Sequence, residues 1–274
     1  MVPETAPAAE AGPTAGPHVV AERSARASAS LRKALAVFRH TCVLLARDPG
    51  TVVAYTVMSM VLLVVLRPVY QRLGTPGGSP AEQGTPGLAV MFTLLALDVA
   101  GQLLLSERTW RTWDRLRVGS VGTLAVLIGK ALPLTVLFTL QQAALFLFSG
   151  VVFRFPVADG TWRLPLMAVC WGLCVSCCGL ALGVWVRTQG RLAATSDIGA
   201  LAVTCLSGSL VPLAVLPGWV GDVAPLTPGY WGLHGLRDAV NGDDAGYLRS
   251  LGVVLAMTAA ALLLASLRSP RKAL

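Results

Sequence analysis

Four cysteines crowd one stretch of the chain, Cys170, Cys174, Cys177 and Cys178. Positions i, i+4 and i+7 share a helix face, a spacing at which thiolates can hold a soft metal. No histidine or carboxylate joins them, and cysteine in an apolar helix is ordinarily a small buried hydrophobe, so the group reads as packing. The opposite stripe, Gly172, Ser176, Gly179 and Gly183, is small throughout and would let a second helix approach closely. All six cysteines lie in apolar or amphipathic runs, which gives no disulfide framework. Gly129-Lys130 is followed by Ala131, and Gly122 stands at the wrong distance for a phosphate-cradling loop, so no nucleotide site is encoded. With three histidines (His18, His40, His234), the chain holds neither a His-Glu-x-x-His zinc pair nor a Gly-x-Ser-x-Gly nucleophile turn. The expectation is a protein that performs no catalysis and binds no metal or cofactor of its own.

Polar residues inside apolar runs are better pointers to function. Asp98 and Gln102 share a helix face, Gln141 and Gln142 interrupt another run, and Asp197 lies near the start of a third. An aspartate at mid-membrane costs about 2.5–3.5 kcal/mol on insertion scales, so Asp98 is expected to face a bundle interior or a wet cavity. Two roles are open to it. It can be structural, hydrogen-bonded across helices or paired with Lys130, or it can line a substrate route together with Gln102, Gln141 and Gln142.

These residues need a scaffold, and the composition says which kind. Of 274 residues, 54% are hydrophobic and 13% charged, against about 25% charged in soluble domains. Mean hydropathy is +0.66. Such a chain is at home in a bilayer. Runs long enough to span, roughly 17–25 apolar residues, fall at 50–66, 87–105, 131–153, 164–186, 196–216 and 250–267, the third with an apolar lead-in over 118–129. The net charge of +8 follows from 22 basic and 14 acidic residues. With the N-terminus inside, sixteen of the 22 basic residues lie on the cytoplasmic side, so both termini are expected there and no nucleic acid need be invoked.

Residues 1–29, rich in Ala, Pro, Gly and Ser, read as a disordered cytoplasmic tail without the apolar run of a signal peptide. Residues 30–48 read as an amphipathic interfacial helix, with Leu31, Leu35, Phe38, Cys42 and Leu45 on one side and Arg32, Lys33, Arg39 and His40 on the other. A six-helix transmembrane domain follows over 49–268, and 269–274 form a cytoplasmic tail. The fold class is all-α membrane protein.

Between the second and third runs the chain reads Ser106-Glu-Arg-Thr-Trp-Arg-Thr-Trp-Asp-Arg-Leu-Arg117, then a Gly/Ser break and re-entry ending in Gly129-Lys130. This arrangement resembles the permease subunits of type-2 ABC exporters. Arg47-Asp48-Pro49, Thr85-Pro86-Gly87, Ser207-Gly208, Pro212, Pro217 and Thr227-Pro228-Gly229-Tyr230-Trp231 extend the resemblance over residues 31–268. Arg111-Thr112 replaces the family's usual Gly-Thr, and Gly119-Ser120 stands where proline is usual.

The resemblance implies a coupling helix that seats in a groove of an ATP-binding subunit, with Glu107, Arg108, Arg111, Trp113, Asp114 and Arg115 as the contacting residues. Trp110 and Trp113, interleaved with the charges, suit a protein groove or the headgroup layer; a solvated basic loop is the plainer alternative. The resemblance also implies short helices folded back into the outer leaflet around Gly208, Pro212, Pro217 and Pro228. Glycine and proline at membrane depth are tolerated where protein or water satisfies the freed backbone groups.

The implied partners are two copies of an ABC ATP-binding subunit, which would hold ATP and Mg, a second permease copy or a sister permease, and the lipid bilayer, with no nucleic acid. The implied activity is export of a small amphiphile, such as a drug, antibiotic or other secondary metabolite, across a bacterial cytoplasmic membrane. A lipid or glycan-precursor exporter is the neighbouring alternative. A non-transporting scaffold and a lipid-modifying membrane enzyme are alternatives of other classes, the last lacking an acidic metal cluster.

Overall fold

The computed structural model describes residues 35, 38–45, 47, 50–72, 80–109, 123–154 and 162–267, with the side chains of 80–83, 106–109 and 123–126 excluded. Among the described residues all regular structure is helical. The long helices are α1 (Gly50–Arg72), α2 (Pro80–Leu95), α3 (Leu97–Thr109), α4 (Thr123–Phe153), α5 (Arg163–Trp185) and α6 (Gln189–Leu206). Short α7 (Gly218–Val223) and α8 (Pro228–Asn241) precede α9 (Asp244–Leu267).

Helices α2 and α3 make one apolar segment. Ala96 N still donates to Phe92 O, and Val99 N then bonds to Ala96 O, a single tightened turn rather than a break. Counted this way, five helices among the described residues are long and apolar enough to cross a membrane: Gly50–Arg72, Gly84–Leu105, Leu127–Phe153, Arg163–Trp185 and Asp244–Leu267. Each matches an expected run to within a few residues, except that the first and last are longer by six residues, nearly two turns. Residues 123–129 of the apolar lead-in are part of α4, which carries Lys130, fully buried, and Pro133 in its interior; 118–122 lie outside the described residues.

The fifth expected run differs most. The helix begins seven residues earlier than 196 and stops at Leu206, because Gly208 takes a left-handed φ of +76°. At 18 residues α6 is about 27 Å long. It carries Arg191 and Asp197, which dilute its apolar character, and it is not among the five long apolar helices.

Helix α5 is the axis of the bundle. Within its apolar window 78% of residues are buried, against 17% in α1. It packs against α3, α4, α8 and α9, and Trp171, Cys174, Leu180 and Met167 are enclosed there. The small-residue stripe serves two neighbours. A Cβ on Gly179 would stand 2.6 Å from Leu97 O and from Ala100 Cβ, and one on Gly183 would stand 2.6 Å from Gly101 O, so α3 lies backbone to backbone on this stripe. Gly172 instead faces Thr135 and Phe138 of α4. Ser176 satisfies itself, its hydroxyl donating to Gly172 O at 2.7 Å.

Helix α1 has the opposite character. Val53, Val57, Val61, Val64 and Val65 are exposed, a helical stripe of branched apolar side chains that water would not accommodate and lipid or a second chain would. The amphipathic segment expected over 30–48 is described only in part. Residues 38–45 are helical, Leu35 is exposed, and Leu45 packs against the bundle core.

Candidate functional site

Asp98 sits in the first turn of α3, just past the tightened turn at Ala96. Gln102, one turn on, donates from Nε2 to Asp98 Oδ2 at 2.5 Å. The second carboxylate oxygen, Oδ1, is buried and has no hydrogen-bond partner among the described residues. An acceptor left in that condition is costly. Two residues from other helices come within electrostatic range, Asp197 of α6 and Tyr55 of α1. Asp98 and Gln102 are therefore brought together where α1, α3 and α6 approach, and Asp197 and Tyr55 join them. Helical spacing made the first pair legible; the approach of Tyr55 left no mark in the sequence.

Gln141 and Gln142 belong to a different contact. Gln142 Nε2 donates to Phe138 O at 3.2 Å and to Ala168 O at 3.3 Å, fastening α4 to α5 in the buried core. Gln141 is 5% exposed, and neither of its amide atoms has a hydrogen-bond partner among the described residues.

The segment from Gly208 to Pro228 is organised by its glycines and prolines. Gly208 occupies the left-handed region, and a Cβ there would stand 2.7 Å from Leu213 Cγ. Pro212 precedes the 3-10 turn Leu213–Val215, and Pro217 precedes α7; both hold the extended backbone that a residue before a helix needs. Thr227 caps α8, accepting from Tyr230 N at 3.4 Å, with Pro228 at the first helical position where no N–H is required. Trp231 Nε1 donates to Pro225 O at 2.7 Å, and Tyr70 of α1 donates to Leu210 O at 3.1 Å, so the segment is tied both to itself and to the first helix. A Cβ on Gly87 would overlap the Ser209 carbonyl oxygen, which fixes the segment against α2 as well.

The turn between α8 and α9 is acidic. Gly242 closes α8 at φ +79°, Asp243 accepts from Ala245 N and Gly246 N, and Asp244 pairs with Arg163 at 2.5 Å. Asp238, outside the long apolar helices, has its carboxyl pushed up to about 6, first by burial and then by Asp243, with Arg237 and the Ser250 hydroxyl opposing. A raised acid favours the folded state while protonated. The contribution is complete below the ordinary aspartate value of about 4 and is lost as pH rises through about 6. Thermal unfolding in detergent should therefore show the native chain losing stability relative to Asp238→Asn between pH 4 and 7. Parallel pH profiles for the two proteins would contradict this.

Of the expected coupling residues, Glu107 and Arg108 lie in the last turn of α3, where the backbone is helical through Thr109. Arg111, Trp113, Asp114 and Arg115 lie outside the described residues.

The family model for ABC-2 type transporters matches residues 32–240. Relatives include the linearmycin resistance permease protein LnrN of Bacillus subtilis (strain 168), 25% identical over 175 residues, which are 63% of this chain and 45% of that protein. The probable multidrug ABC transporter permease YbhR of Escherichia coli (strain K12) is 24% identical over 144 residues, 52% of this chain and 39% of its own length. The chain thus spans less than half the length of the curated relatives it matches. With a match across most of its length and five long apolar helices, this multi-pass membrane protein belongs to the ABC-2 type transporter family.

Proposed function

We propose that the chain is the permease subunit of an ATP-driven exporter of small amphiphiles, the class that includes drugs, antibiotics and other secondary metabolites. The observation that carries this reading is the family match over residues 32–240, joined by relatives named for linearmycin resistance and for multidrug transport. Two ATP-binding subunits dock at the 106–117 loop and hold ATP and Mg. A second permease, a copy or a sister, completes the path, with α1 offering its exposed valine stripe as the meeting face. Helix α6 serves as the sixth span, both termini face the cytoplasm of a bacterial cell, and the Gly208–Pro228 segment dips into the outer leaflet.

Asp98 has a role in this scheme. Its buried Oδ1 lacks a partner among the described residues, so a donor or cationic group on a passing amphiphile can satisfy it. The test is ATP-driven uptake of a cationic amphiphilic dye into inverted vesicles containing the permease and its ATP-binding subunit. The native pair should accumulate dye, and Asp98→Asn should lower uptake of the cationic dye more than that of a neutral one. ATP-independent flux, or no flux for any amphiphile tried, would overturn the exporter reading.

A further inference from the structure

At the end of the bundle where α1 finishes, several arginines are matched. Arg163 pairs with Asp244, Arg249 lies 5.3 Å from the centre of the Trp231 ring, and Arg67 lies 5.0 Å from that of Phe153. Arg237 of α8 is different. Its guanidinium makes no hydrogen bond and no ion pair with the described residues, and Nε is enclosed. The side chain is not buried as a whole, and Nε is its one enclosed nitrogen, so the two Nη nitrogens are the open part of the group. Arginine is seldom enclosed without a partner, because removing its charge from water is costly. Burial holds this guanidinium below its ordinary basicity, with Tyr70 and Asp238 opposing.

The carboxylates nearby are engaged elsewhere. Asp238 is one residue on, about 100° around the helix. It presents Oδ2 to the α9 side, 2.7 Å from the position of a Cβ on Gly246, where Asp243 Oδ2 also converges. Asp243 caps the start of α9, and Asp244 is held by Arg163. The remaining groups in electrostatic range carry no negative charge to offer. Tyr70 gives its hydroxyl proton to Leu210 O at 3.1 Å. His234 Nδ1 meets Tyr230 O at 2.9 Å, and burial, aided by Arg237, lowers the ring's affinity for a second proton.

The level of the group in the bundle says what can reach it. Tyr70 stands in the last turn of α1, which closes at Arg72, so Arg237 lies where a spanning helix gives way to the headgroup layer. A guanidinium fork matches paired oxyanion oxygens, and a phosphate there neutralises the whole delocalised cation through its open end.

We infer that Arg237 is an anion site, taking two oxygens of a phosphate on its Nη nitrogens. The headgroup of a bilayer lipid and free phosphate from the aqueous phase share this chemistry. Binding requires no ATP-binding subunit, so it stands apart from the exporter reading and is tested without it.

The full chain in dodecyl maltoside, a non-ionic detergent, is titrated with dioleoylphosphatidylglycerol and separately with dioleoylglycerol, and bound lipid is counted by native mass spectrometry. The first phosphatidylglycerol should bind at least about tenfold more tightly than the diacylglycerol, the preference expected of one hydrogen-bonded charge pair. Arg237→Gln should bring the two lipids to within about threefold of each other. Arg237→Lys keeps the charge and loses the fork, so its preference should fall between, and it carries the test if the glutamine variant does not fold. Arg249→Gln, which removes a matched arginine from the same end, should keep the native preference.

Displacement of phosphatidylglycerol by millimolar inorganic phosphate identifies a free anion as an occupant. Arg237-dependent binding that phosphate does not displace identifies the lipid headgroup. Equal binding of the two lipids by the native chain, a preference unchanged in both Arg237 variants, or one lost equally in Arg249→Gln would each overturn the inference.

Discussion

Replacing Glu107 and Arg108 together by alanine should reduce ATP-driven export by at least about tenfold while leaving the bundle folded. The magnitude is that of one or two lost hydrogen bonds to charged groups, each about 1.5–3 kcal/mol. The route of transmission makes the effect specific. Both residues end α3, and α3 lies backbone to backbone on α5 through Gly179 and Gly183, so a push on the loop reaches the most enclosed helix without passing through a compliant side chain. ATP hydrolysis by the complex should persist while flux is lost, since the substitutions touch no nucleotide. Export equal to that of the native protein, at equal membrane abundance, would remove the coupling assignment from these two positions.

The second large effect concerns the joint itself. Gly183→Leu places a Cβ where the Gly101 carbonyl oxygen now stands 2.6 Å away, with Gly101 Cα at 3.1 Å. Backbone cannot step aside as the end of a flexible side chain can. The bundle should lose stability at or above the upper end of the usual overpacking cost of about 1–3 kcal/mol. Gly252→Leu is the matched control, because a Cβ on Gly252 meets nothing within 4 Å. Thermal unfolding followed by size-exclusion chromatography should show an early transition for Gly183→Leu and a native one for Gly252→Leu. Equal transitions would mean that α3 and α5 stand farther apart than the structure places them.

What could be read from the chain beforehand follows from how local each feature is. Five apolar runs announced their helices because length and hydropathy are properties of contiguous residues. The stripe Gly172, Ser176, Gly179 and Gly183 was legible from helical periodicity, although the sequence could not say that two of its members face α3 and one faces α4. The run at 196–216 was misplaced because Leu210 to Leu216 weigh heavily in an apolar count, while the left-handed turn at Gly208 that ends the helix is set by a single residue. Short helices after it were foreshadowed by Pro212, Pro217 and Pro228, which fix φ at or just before helical starts.

The site was legible by halves. Asp98 and Gln102 are one turn apart, and their hydrogen bond follows from that spacing. Tyr55, Asp98 and Asp197 come from three helices, and only packing brings the phenol and the two carboxylates into range of one another. Cys174 and Cys178, which first attract attention as possible metal ligands, pack in and against the apolar core, as their apolar surroundings in the chain imply.

The proposed exporter works with a separate ATP-hydrolysing subunit. Purification of the full chain from its native membrane in mild detergent, followed by mass-spectrometric identification of what accompanies it and a vanadate-sensitive ATPase assay on the complex, tests it most directly. The account predicts an ABC ATP-binding subunit in the complex, hydrolysing ATP at a rate stimulated by an amphiphilic substrate. A permease recovered alone from membranes in which its partner is expressed, with no ATPase activity attached, would contradict it.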